Sequence, residues 1–338
     1  MIKHYYTDTT EVNFSKLESR ILGINDPQLG NYNKVSQMIN SLDKPTLIMA
    51  TGGSKAVANF LQLILERQMG IICDVIEPRD YFYKANRNMF SNLVVISASG
   101  NTNGVNEALS DFKGNKFLIT EKVKEGNFEV VTWGNELYDR EKSFISLSTS
   151  LGPMALMLDS TILPNKKTTI EEVKRVNERI KELLKKSREK VTSVDVSFKN
   201  TSLVHIMSGY ETRTSSSVLE SNLTETGTLA GIIHDKGAFC HGRSNLIFQN
   251  PKSKVIYLTH GLKDLDNVLI GTIDSEYSNV SVFDTFDLDE SIFWKEFYLT
   301  LQMYYLSRKI SDDKGTDLTM PDYNPNVIKK LYKYRGEM

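Results

Sequence analysis

Nothing in this sequence is both long enough and apolar enough to cross a bilayer. No run approaches the roughly 20 apolar residues a spanning helix needs, and the opening MIKHYYTDTTEVNF lacks the apolar core of a secretory leader. An excess of one charge is missing too. Forty-one basic residues against 42 acidic ones leave a formal charge of -1, so no global field draws the chain to nucleic acid or to an anionic membrane. Any anion it binds must therefore be held by a local site. Cysteine is scarce: Cys73 and Cys240 stand far apart with no CxxC spacing, which argues against a disulfide framework or a zinc cluster and fits a reducing compartment. These absences lead us to expect a soluble, cytoplasmic chain that takes a small molecule, with no nucleic-acid or membrane partner and no metal or other cofactor.

What is present is an alternation of short apolar runs with helix-like segments. With 338 residues and 40% hydrophobic content the chain can bury two cores of ordinary domain size, a better expectation than one giant core. The first forty-odd residues are polar and helix-like, with breaks expected at Gly23 and Pro27. Strand-type runs follow at Thr46 to Ala50, Gly70 to Val75, Asn92 to Ser97, Lys116 to Thr120 and Glu129 to Thr132, with a helix over Ala56 to Gln68. Runs this continuously apolar, alternating with helices, read as a parallel sheet covered on both faces. The charged segment Thr169 to Lys190 has one apolar stripe and one Glu/Lys face, so it reads as a helix covering or linking two halves. Beyond it, Ser202 to Ser208 repeats the strand, small-residue turn and helix order of Leu47 to Phe60. Lys254 to Thr259, Val268 to Thr272 and Val280 to Phe283 continue the strands, and a helix near Ser291 to Lys309 closes the series. The expectation is an internal duplication: a helical segment 1–45, a first α/β domain 46–168, a linking helix 169–192, a second α/β domain 193–311 and a tail 312–338.

Two loops of the first half have the composition of phosphate cradles. Thr51, Gly52, Gly53 and Ser54 stand between a strand and a helix, where small residues let the backbone approach a ligand and a helix N-terminus offers N–H groups. Ser97, Ala98, Ser99, Gly100, Asn101 and Thr102 gather three hydroxyls around one glycine, again entering a helix. A third hydroxyl cluster, Ser146, Ser148, Thr149 and Ser150, precedes Gly152 and Pro153. Any one cluster alone is accounted for by helix capping. Two at the carboxyl ends of neighbouring strands, where open α/β sheets bind ligands, favour anion binding.

From about Thr46 onward the sequence resembles the sugar isomerase (SIS) family in its paired-domain arrangement. ATGGS resembles the family's CGTS-type loop, ISASGNT its SQSGET-type phosphate loop, and SLSTS its VAST segment. ESNLTETGTLAGIIHDKGAFCHGR resembles the stretch from KLKE to ELKHGP, and the interval from Glu225 to His241, 241 − 225 = 16 positions, is the family's own. KGTD at Lys314 to Asp317, then Pro321 and NVIK to Lys329, resembles the family's lysine-bearing tail, with a gap needed after Pro321.

The resemblance implies two doubly wound parallel-sheet αβα domains that bind a sugar phosphate. The phosphate would lie on Gly53, Ser54, Ser97, Ala98, Ser99, Thr102 and Ser148. Glu225 would shuttle a proton between C1 and C2, His241 would assist ring opening, and Lys329 would engage the ring or carbonyl. It further implies a homodimer, since the family's HGP histidine commonly reaches the partner's site. An enediol route needs a base that takes and returns a proton and a donor at the oxygen, roles that Glu and His fit.

The departures bear on the chemistry. Ala238, Cys240, Arg243 and Asn222 stand where the pattern has Glu, Lys, Pro and Lys, and no amino-terminal cysteine nucleophile is present for glutamine-dependent amination. An isomerase, a deglycase or deaminase, and a silent sugar-phosphate sensor all remain open. Of the other residues, Cys240 is expected as a small buried thiol and His234 in a solvated turn. Arg243 is a fixed cation suited to a substrate anion or to a salt bridge.

Overall fold

The computed structural model describes residues 6–101, 103–134, 139–162, 167–262, 264–277 and 280–320. Thr102 and Lys329, both expected at the site, lie outside the described residues. Three helices lead in: α1 (Thr10–Ser15), α2 (Leu17–Ile24) and α3 (Asn31–Ser41). Gly23 does not break a helix as expected but lies inside α2, and the break falls just after it.

The first unit is β1 (Thr46–Met49), α4 (Ser54–Met69), β2 (Cys73–Ile76), β3 (Asn92–Ile96), α5 (Asn103–Asp111), β4 (Asn115–Thr120), β5 (Glu129–Thr132) and α6 (Ser148–Ile162). Its strands are all parallel, in the order β2-β1-β3-β4-β5. Helix α7 (Ile170–Ser193) follows, opened by a capping box in which Thr169 and Glu172 bond reciprocally. The second unit is β6 (Leu203–Ser208), α8 (Arg213–Glu225), β7 (Ala230–Asp235), α9 (Lys236–Ala238), α10 (Asn245–Phe248), β8 (Ser253–Leu258), α11 (Asp264–Tyr277), β9 (Val280–Phe283) and α12 (Ile292–Lys314). Its sheet runs β7-β6-β8-β9, also parallel throughout. The duplicated order is exact in its first step: β1 reaches α4 through Ala50–Gly53, and β6 reaches α8 through Gly209–Thr212.

Two sequence expectations need correction. Val268 to Thr272 is not a strand but the middle of α11, where Leu269 and Ile273, one turn apart, are buried while Val268 is exposed. Conversely, β7 was not foreseen, because AGIIHD holds a glycine and two polar residues; it is one of the two edge strands of its sheet.

The core also differs from the expected pair. Side chains alternate across each strand, so Leu47 and Met49 pack on one face of the first sheet with Val105, Ala108 and Leu109 of α5, while Ile48 points to the other face. That other face belongs to one continuous apolar cluster that runs through α4, α6, α7, α8 and α12 to Val204, Ile206, Ile256 and Leu258 of the second sheet. Each sheet keeps a smaller cluster on its outer face. Helix α12 lies inside this shared layer, with Phe297, Leu299, Leu301, Met303 and Leu306 all buried, together with the polar Glu296, Thr300, Gln302 and Ser307. The two inner sheet faces thus bury themselves against the same helices, and α4 of the first unit meets α8 of the second.

Candidate active site

In the first sheet β1 and β3 are neighbours, and the chain leaves β1 towards β2 on one side and β3 towards β4 on the other. Their carboxyl ends flank the switch point where such sheets open a crevice. Gly52 adopts φ 57°, a left-handed turn that favours glycine. Gly53 stands at the N-cap of α4, where no side-chain cap bond is made among the described residues. Ser54 opens α4 and is half-buried, as are Ser97 and Ala98, while Ser99 is exposed. The second loop is braced from within: Ser97 Oγ accepts from Gly100 N–H at 3.1 Å, Ser99 Oγ accepts from Asn101 N–H at 3.4 Å, and Thr120 Oγ1 donates to the Ala98 carbonyl at 3.0 Å. Lys124, which sequence reasoning missed, donates to the Gly100 carbonyl and to Asn106 Oδ1, fixing a cation against this loop. Burial lowers its ammonium below the usual lysine range.

The third cluster has a different character. Ser148 is fully buried and donates to Glu141 Oε2 at 2.9 Å. The same carboxylate accepts from Thr149 N–H at 3.2 Å and from Leu147 N–H at 2.9 Å. An internal glutamate therefore already supplies the anion at the N-terminus of α6. The second unit repeats this device. Glu296 of α12, wholly buried, accepts from Ser215 N–H in the first turn of α8 at 2.8 Å and lies 2.9 Å from His260 Nε2. His260 in turn meets Thr285 Oγ1 and the Glu211 carbonyl. Of these three helix N-termini, that of α4 alone has no side-chain partner among the described residues.

Glu225 ends α8, exposed at its tip, and it comes to the open cradle of the first unit. A Cβ added to Gly52 would lie 3.8 Å from Glu225 Oε1. Glu225 shares a crevice with Gly52, Gly53, Ala56, Ser146, Ser217, Ser221 and Tyr304. Ser221 Oγ donates to Glu225 Oε1 at 2.6 Å. Tyr304 donates to the Ser146 carbonyl at 3.1 Å. Burial first, and the Glu141 and Glu225 carboxylates after it, hold the Tyr304 phenol protonated well above its ordinary range. The crevice holds only ≈ 30 Å³, about the share of one water in the liquid.

The remaining expected residues fall elsewhere. His241 lies exposed in the turn Phe239–Arg243 beyond β7, beside Gly242 at φ 94°, and does not line the Glu225 crevice within one chain. Cys240 is exposed in that turn, not buried as expected. His234 is buried in β7, not in a solvated turn, because its ring packs on His205 and on the edge of Phe239. Asn222 is buried and donates to Ser307 Oγ of α12 at 3.2 Å. Arg243 is exposed, with no ion pair among the described residues. No group of His, Cys, Asp and Glu suited to a metal occurs among the described residues, and no described helix is long and apolar enough to cross a membrane.

No protein-family model matches the chain, and no curated protein sequence matches it. Solved structures do. A protein from Clostridium difficile 630, provisionally called a phosphosugar isomerase, is similar at TM-score 0.73 and 16% identity over 96% of this chain and 98% of its own. The C-terminal domain of glucosamine-fructose-6-phosphate aminotransferase from Francisella tularensis is similar at TM-score 0.67 and 13% identity, over 94% and 99%. Glucosamine-6-phosphate deaminase from Thermotoga maritima is similar at TM-score 0.65 and 16% identity, over 88% and 98%. At these identities the likeness is one of fold, and it extends over both units.

Proposed function

Because the chain carries the fold of paired sugar isomerase (SIS) domains, we propose that it binds a sugar phosphate in the cradle of its first unit and moves a proton along the open-chain sugar with Glu225. The observation that carries this reading is the meeting of Glu225 Oε1 with the loop of Gly52 and Gly53: the second unit brings a carboxylate to the open anion cradle of the first. The phosphate would take N–H groups at the start of α4, with hydroxyls from Ser54, Ser97 and Ser99. Thr102 and Ser148 complete the expected set; Ser148 would first have to exchange its bond to Glu141. The enclosed part of the crevice is smaller than a hexose phosphate, so the sugar would extend outward past Glu225, which is exposed.

Glu225 would remove the C2 proton of the open-chain aldehyde. The electron pair forms the C1–C2 double bond while the carbonyl oxygen gains a proton, and return of the proton to C1 with loss of the O2 proton gives the ketose. His241, which does not line this crevice within one chain, would serve the site of a second copy in a homodimer, and Lys329 would close on the sugar. Deglycation or deamination of an amine adduct would use the same proton shuttle.

A second reading, a sugar-phosphate sensor without turnover, draws support from Asn222. It stands where the resembling pattern has a lysine, and its amide is spent on Ser307. Incubation with a panel of hexose and fructosamine phosphates in deuterated water separates the two. The enzyme reading predicts deuterium at C1 or C2 of at least one sugar; binding with no exchange anywhere in the panel supports the sensor instead.

A further inference from the structure

We infer that Ser221 is a positioning residue for Glu225, an inference that rests on Glu225 being the base. The two stand one helical turn apart on α8 and line the same crevice. Hydroxyls within helices ordinarily turn back to a carbonyl of the preceding turn, and this chain follows that habit: Thr226 donates to the Asn222 carbonyl, Ser307 to that of Met303 and Ser216 to that of Arg213. Ser221 does the opposite, donating forward to Glu225 Oε1 at 2.6 Å, the length of a charge-assisted bond.

Two features of the place give that bond a task. Glu225 is the last residue of α8, followed by Thr226 and by Gly227 at φ 67°. A carboxylate there meets the negative end of the helix, and a hydroxyl donor offsets part of that repulsion. Glu225 is also an exposed side chain with several rotatable bonds, so holding it in one place costs entropy. With Oε1 engaged by Ser221 beside Gly52, the carboxylate is held across the crevice and Oε2 is the oxygen left to take and return a proton. Ser217, one turn earlier, accepts from Asn59 of α4 at 3.0 Å, which ties this face of α8 to the first unit and fixes Ser221 relative to the cradle.

The test compares the parent chain with Ser221→Ala and Ser221→Thr, measuring deuterium exchange on the phosphosugar for kcat and KM, together with the melting temperature. Loss of one hydrogen bond to a charged group corresponds to roughly a ten-fold or greater fall. The expected result is a kcat about ten-fold lower in Ser221→Ala with KM and melting temperature nearly unchanged, and recovery of most of the loss in Ser221→Thr, whose hydroxyl can make the same bond. A kcat within two-fold of the parent in Ser221→Ala, or equal losses in both variants, overturns the inference while leaving the proposed function standing. Absence of exchange in the parent chain overturns both.

Discussion

Among single residues, the paired histidines of the second sheet show how far a side chain's neighbours decide its chemistry. His205 Nδ1 and His234 Nε2 stand 2.9 Å apart, and both rings are buried. One ring must donate to the other, and the outer nitrogens, His205 Nε2 and His234 Nδ1, have no partner among the described residues. Burial, then the neighbouring His234, lowers His205 to about 4; burial, then the charge of Arg243, lowers His234. In the unfolded chain both return to about 6.5, so between about pH 6.5 and 4 the unfolded state binds more protons. The pair's contribution to stability is therefore present above pH 6.5 and is lost as pH falls towards 4. For His205 alone this amounts to on the order of 3 kcal/mol. Urea unfolding followed from pH 7 to pH 4.5 should show stability falling more steeply in the parent chain than in a His205→Leu, His234→Leu double variant; equal slopes would remove the pair from the account. None of this was legible in the sequence, where HDK after two isoleucines reads as a polar turn. The partner strand β6 lies 29 residues earlier at the contact, and periodicity says nothing about which strands pair.

At the scale of elements, the local order was largely legible and the occupancy of the helix ends was not. Strand β5 over Glu129–Thr132, strand β9 over Val280–Phe283 and helix α7 behind Thr169 fall where the apolar runs and the one-sided apolar stripe put them. These signals are short-range. What fills each helix N-terminus is a long-range matter: Glu296 reaches Ser215 across 81 positions and Glu141 closes on a hydroxyl cluster that composition alone presents as a phosphate site. The duplicated cradle of the second unit is occupied by its own carboxylate, and a phosphate there would meet a buried negative charge in a medium where repulsion is strong. Titration calorimetry with a hexose phosphate should accordingly find one equivalent bound per chain. Two equivalents per chain would show that Glu296 gives way and that the second cradle is open.

For the molecule as a whole, duplication of the αβα unit was readable from the repeated order of strand, small turn and helix. The sharing of one core was not, because an apolar helix face does not reveal which of two sheets it covers. That sharing is what makes a crevice between the units. Helices α4 and α8 pack together inside the common layer, so the α4 cradle of one unit and the terminal glutamate of α8 from the other face the same crevice. The role of Glu225 in this arrangement is most directly tested by Glu225→Gln, which keeps the shape and most hydrogen bonds of the side chain but cannot accept the proton. The two quantities to measure on one preparation are deuterium exchange into the phosphosugar and its dissociation constant. General base catalysis is worth typically 10²–10⁴-fold, so the account predicts exchange reduced by at least about 10²-fold with the dissociation constant within a few-fold of the parent. Exchange that persists at the parental rate in Glu225→Gln would contradict it and place the base on another residue.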